Sequence, residues 1–149
     1  YALGIRNYKL GLLGVCGAQF ERSYQAWRVP NAHVSSFENF TVGTWEAPCK
    51  TEQPYEGIKR RVLCFDDETM QVHYTVKADA VFPEHEHEET KQTVYVIDGA
   101  IELFGDHEQL LESGDSFIIG PDVRHGVRGV AERTELLDTF TPRIESYTK

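Results

Sequence analysis

The chain has 149 residues, room for one ordinary domain and too little for two of full size. With 40% hydrophobic and 26% charged residues, it has the composition of a folding chain rather than a disordered one. Its net charge of −9 disfavours non-specific binding to nucleic acid or an anionic membrane, and no apolar run approaches the ~18 residues of a membrane span.

Residues 1–55 carry scattered turn residues (Pro30, Asn31, Pro48, Pro54) and no sustained hydrophobic period. They also carry Trp27, Phe37, Phe40 and Trp45, which predict an N-terminal arm docked on the core or on a partner subunit. A lid over a substrate is the other use open to these aromatics. The first residue is Tyr1 and the only methionine is Met70, so the sequence is expected to be trimmed, processed or partial. Arg6 and Lys9 precede a short apolar run at 10–18 that resembles a signal-peptide core. The run is short and glycine-rich, which favours a packed arm and leaves the cytoplasm as the default compartment. Cys16, Cys49 and Cys64 make an odd count without a CxxC, so reduced, buried thiols are expected.

From Lys59 onward the pattern is all-β. Residues 61–65 carry Val62, Leu63 and Phe65, and residues 69–77 alternate with Val72, Tyr74 and Val76 on one face. Residues 93–97 are rich in β-branched and aromatic side chains. Asp98-Gly99 predicts a hairpin into a strand at 100–104. Turns follow at 105–108 and 113–115, then strands at 115–119, 126–130 and 134–140. Short strands at such spacings predict a β-sandwich or barrel over 56–149.

The stretch with chemistry in it is Phe82-Pro-Glu-His85-Glu-His87 and its sequel. On an extended strand, residues i and i+2 share a face, so His85 and His87 can chelate one ion. Gln92 follows at the start of a strand that Gly99 closes; Gly114-Asp115 opens another strand, and His125 comes four residues after Pro121. This combination resembles the cupin family, whose two motifs are G-x5-H-x-H-x(3,4)-E-x6-G and G-x5-P-x-G-x2-H. Ala78 or Asp79 stands near the first glycine, Gln92 replaces the glutamate, and Gly99 matches. In the second motif Gly114 and His125 match, Gly120 takes the proline position, Pro121 falls one later, and Val123 takes the second glycine. The resemblance implies a double-stranded β-helix, a jelly-roll barrel. It also implies one divalent transition metal ion per subunit (zinc, nickel, manganese or iron) on His85, His87, Gln92 and His125.

Gln92 is the notable departure. A carboxamide is neutral and does not titrate, so it leaves the ion's full charge to polarise a substrate oxygen and supplies no base. The last strand offers one: Asp138 and Phe140 are two apart and share a face, with Leu137 and Thr139 on the other. Within the cupins, His-x-His-x4-Gln, Gly-Asp-Ser-Phe, His-Gly-Val and Asp-x-Phe-Thr-Pro resemble the KdgF family of pectin degradation, as does Arg60-Arg61-Val62-Leu63. That resemblance implies conversion of 4,5-unsaturated uronate monosaccharides, from pectin or alginate breakdown, to the linear keto form. Asp138 is then the expected catalytic group, and Phe140 with Arg143 the expected substrate contacts. Arg143 stands three residues after Phe140 where the family has four, so Arg61 or Arg128 is an alternative carboxylate clamp. The family also implies a homodimer and a small sugar-acid ligand. Another cupin isomerase or cyclase, an Fe(II) dioxygenase on a small organic acid, and a non-catalytic sugar-binding module are the rival readings.

Overall fold

The computed structural model describes residues 35–37 and 40–149. The expectations for Cys16, Trp27, the side chain of Phe37 and the run at 10–18 lie outside the described residues. Period-two alternation of apolar and polar residues makes the regular structure of this part almost entirely strand. A small hairpin pairs β1 (Ser35–Phe37) with β2 (Phe40–Val42). There follow β3 (Lys50–Tyr55), β4 (Ile58–Phe65), β5 (Met70–Lys77), β6 (Val81–His85) and β7 (Lys91–Asp98). The remaining strands are β8 (Ala100–Gly105), β9 (Gln109–Glu112), β10 (Ser116–Ile119), β11 (His125–Gly129) and β12 (Arg133–Thr141), with a closing 3-10 turn at Glu145–Tyr147. No helix among the described residues is long and apolar enough to cross a membrane.

Two antiparallel sheets, ordered β10-β7-β12-β5-β4-β3 and β6-β11-β8-β9, make the jelly-roll barrel. The hydrophobic core lies between them. Val72 and Val76 of β5, Val94 and Val96 of β7, and Leu136 and Phe140 of β12 join Ile101, Leu103 and Leu111 of the second sheet. Full burial of each larger apolar side chain contributes about 1.5–3 kcal/mol. β3 stands at the sheet's edge, where Pro54 and an irregularity between Glu52 and Tyr55 cost no central hydrogen bonds. It precedes residue 56, so pairing in the barrel begins earlier than the sequence pattern.

The turns explain the imperfect motifs. Asp79 (φ 61°) and Asp122 (φ 60°) hold left-handed backbone, the conformation a glycine would supply and an aspartate tolerates. They stand six residues before His85 and three before His125. The motif's own spacing, three residues before His125, also puts its second glycine at Asp122, so the assignment to Val123 falls one residue late. Gly99 (φ 85°) makes the expected hairpin between β7 and β8, and a Cβ there would sit 2.5 Å from the Arg133 carbonyl oxygen.

Outside the six-stranded sheet, Trp45 packs edge-on against His73 of β5, with ring centroids 4.8 Å apart. The Arg61 guanidinium lies over the other ring of the pair, 4.3 Å from the Trp45 centroid. Cys49 and Cys64 are free and half-buried, and burial raises both thiols.

Candidate functional site

β6 and β11 are neighbours in register at His85 and His125, so the pairing itself brings two imidazoles together. Their ring centroids are 4.3 Å apart. His87 lies past the end of β6 rather than on an extended strand, yet its ring comes within 5.0 Å of His85 and 5.4 Å of His125. One ring nitrogen of each lies within 4.8 Å of the others. Glu89, on the following turn, is exposed and stands outside this group.

The donor chemistry fits a metal ion. His85 Nδ1 contacts the Pro83 carbonyl at 2.9 Å and His125 Nδ1 the Val123 carbonyl at 2.8 Å. A carbonyl only accepts, so each Nδ1 carries the hydrogen and each Nε2 keeps a lone pair. Anchoring of this kind orients imidazole ligands. Gln92 enters from β7, with its Oε1 3.3 Å from His87 Nε2 and 3.1 Å from His125 Nε2. Burial, with the neighbouring imidazoles adding, lowers the pKa of His87 and takes that of His125 down to about 4. Neutral imidazoles are the form that binds metal.

The amide of Gln92 joins this cluster to a carboxyl group. Its Nε2 donates to Asp138 Oδ2 at 2.8 Å across the β7–β12 pair. Asp138 and Phe140 both point inward and are buried, while Leu137 faces out. Asp138 Oδ1 has no hydrogen-bond partner. Burial raises the Asp138 pKa to about 7, against the pull of the Gln92 amide. The cavity here is lined by His85, Gln92, His125, Asp138 and Phe140, with Phe82, Tyr74 and Tyr147 beside them. The space it encloses is about 30 Å³, room for bound water, and it opens to solvent at its mouth.

The structure does not bring Arg61, Arg128 or Arg143 to the cavity. Arg61 stacks on Trp45, and Arg128 pairs with Glu102 at 2.8 Å. Arg143 donates to Glu145 at 2.7 Å and to the Asp66 carbonyl at 2.6 Å. The arginine on the barrel's inward face is Arg60, stacked on Tyr147. Its place was readable in principle, since Arg60 shares strand parity with Ile58 and Val62.

A jelly roll whose β6–β11 pair, with the segment just after β6, presents three clustered histidines has the architecture of the cupins. The chain belongs to the cupin family: the Cupin domain model matches residues 72–140. Among curated relatives it is 32% identical over 97 residues to the pectin degradation protein KdgF of Dickeya dadantii (strain 3937), across 62% of this chain and 88% of that one. The structure of KdgF from Halomonas sp. superposes with a TM-score of 0.67 at 24% identity, over 72% of this chain and 98% of that one. An RmlC-like cupin from Shewanella frigidimarina NCIMB 400 gives 0.66 at 29% identity, over 78% and 99%.

Proposed function

We propose that this chain converts 4,5-unsaturated uronate monosaccharides, released from pectin or alginate, to their linear keto form. The observation that carries the reading is Asp138 Oδ1, a buried acceptor with no partner at the wall of a cavity that His85 and His125 also line. Likeness to the pectin degradation protein supports the substrate class.

The chemistry is an isomerisation and needs no oxidant. The substrate ring holds an enol ether, and its anomeric carbon carries a hydroxyl group. Asp138 takes the hydroxyl proton as the bond between the anomeric carbon and the ring oxygen breaks, leaving an aldehyde and an enolate. The same proton is then delivered to the vinyl carbon, and the enolate becomes a ketone. Gln92 holds Asp138 through its amide N–H and so fixes the carboxyl oxygen that faces the substrate. Phe140, edge-on to His87 at 5.9 Å, offers a flat apolar wall for the sugar ring. His85, His87, Gln92 and His125 would hold one divalent transition ion, which supplies Lewis-acid polarisation of a substrate oxygen when bound. The reading sets the protein as a cytoplasmic homodimer, which fractionation and light scattering test.

The test of the reaction is a proton NMR time course with 4,5-unsaturated galacturonate and a no-enzyme control. Accelerated loss of the vinyl proton is expected. No acceleration by protein with its metal content verified overturns the reading.

A further inference from the structure

The cavity has a second chemical pole that no motif marked. Arg60 is 7% exposed, a rare state for a guanidinium, and it stands on β4 directly opposite Tyr74 of β5. Its Nε and Nη2 donate to a single oxygen, Glu52 Oε1, at 3.0 and 2.6 Å. Arginine has five such donors, so Glu52 occupies only part of the fork. The flat of the guanidinium lies 3.4 Å from the centroid of the Tyr147 ring. The phenol groups of Tyr74 and Tyr147 interact with the guanidinium and with each other. Burial raises both phenol pKa values, so both remain O–H donors at neutral pH.

Tyr74 and Tyr147 line the same cavity as His85, His125 and Asp138. Each is one aromatic ring away from the histidine group. Phe82 lies between Tyr74 and His85, with centroids 6.1 and 4.8 Å away. Phe140 lies between Tyr147 and His87, with centroids 5.8 and 5.9 Å away. The two poles therefore face one cavity. An anion entering this space meets the carboxyl of Asp138 and needs a counter-charge, because an unpaired buried charge is costly.

We propose that Arg60, Tyr74 and Tyr147 form the carboxylate-binding pole of the cavity. The two phenol O–H groups meet the carboxylate oxygens, and Arg60 behind them supplies the charge. Glu52, on the exposed edge strand, is the anion that holds the guanidinium in place when no ligand is bound. The proposal rests on the sugar-acid reading for its ligand but not on the ring-opening chemistry.

The test is calorimetric titration of the full, zinc-loaded chain with saturated galacturonate and, in parallel, with galactose, its neutral counterpart. Neither probe requires turnover. Galacturonate is expected to bind at least about tenfold tighter, a difference of about 1.4 kcal/mol. Arg60→Met paired with Glu52→Gln removes both charges together, which a fold tolerates better than leaving one unpaired. This double variant, with its melting temperature verified, is expected to lose the preference. Tyr147→Phe, which deletes one hydroxyl and keeps the ring, is expected to reduce it. Equal or undetectable binding of the two sugars by the unmodified chain overturns the proposal, as does full preference in the folded double variant. Preference lost in the double variant without any vinyl-proton loss in the unmodified chain would uphold the pole and remove the ring-opening reading. Vinyl-proton loss with an undiminished preference would do the reverse.

Discussion

The two faces of the six-stranded sheet pose the same physical problem and answer it differently. Among the described residues, two buried side-chain atoms lack a hydrogen-bond partner: Asp138 Oδ1 and His73 Nδ1. They stand on the paired strands β12 and β5, in adjacent register, since Leu137 is opposite His73 and Asp138 opposite Val72. Strand parity turns one inward and the other outward. On the outer face His73 lies beneath Trp45, with Nε2 3.6 Å from Glu135. On the inner face Asp138 meets Gln92, the histidine group and a cavity. An unpaired buried atom thus marks a site only where other groups converge on the same space; alone, it marks a side chain that packing has covered.

The largest expected effect breaks the inner face at that atom. Asp138→Asn keeps the size and one acceptor but cannot carry a proton between substrate atoms. Turnover of the unsaturated uronate is expected to fall about 10²–10⁴-fold, the range for loss of a general acid–base group. Metal content, measured by elemental analysis, is expected to stay at the level of the unmodified chain. Full activity in this variant would put Asp138 with His73, as a side chain merely covered.

The barrel was legible because its central strands alternate plainly: β5, β7 and β12 each bury every second residue over their inward face. β6 and β9 were not. Pro83 and Glu84 break the apolar alternation of β6, and in β9 the exposed Leu110 stands next to the buried Leu111. β3 was hidden by Pro54, which reads as a turn residue and is tolerated here at a sheet edge. At the site, the spacing of His85, His87, Gln92 and His125 was enough to anticipate their clustering, because strand pairing and one short turn do the rest. The cationic residue was harder to place. Arg143 was taken one residue short of the family offset and Arg61 as its substitute, whereas the inward position on β4 goes to Arg60 by parity with Ile58 and Val62. Tyr147 lies beyond the last strand, where no periodicity points at a cavity.

A smaller effect probes the outer face. Burial lowers the His73 pKa, with Glu135 pulling it up and Arg61 and Arg133 pushing it down. The unfolded chain protonates this imidazole near pH 6.5, while the folded chain resists the proton to lower pH. Stability therefore rises with pH across that window and is lost as the pH falls below it, by at most about 1.4 kcal/mol per pH unit for one proton. In urea unfolding at about pH 7.5 and pH 5, His73→Gln is expected to lose less stability on acidification than the unmodified chain. An equal loss in both would mean that His73 carries none of the acid response.

The smallest effects belong to the arginines that the sequence favoured. Arg61→Met and Arg143→Met each remove a half-buried guanidinium that stands outside the cavity lining. Their KM values for the sugar acid are expected to stay within about twofold of the unmodified chain, against about tenfold for the Arg60 variant. Arg143 is the sharper of the two tests. It ties the segment after β12 to the Asp66 carbonyl, and Tyr147 sits four residues further on, with its ring on Arg60. Were KM to rise in Arg143→Met, two routes would remain: direct contact with the carboxylate, or release of the Tyr147 ring from the cavity. Combining Arg143→Met with Tyr147→Phe separates them. Independent contacts multiply their effects on KM, whereas a shared route through Tyr147 gives a double variant little worse than the poorer single one. The second pattern would keep the carboxylate on the inner face and make Arg143 a positioning residue for it.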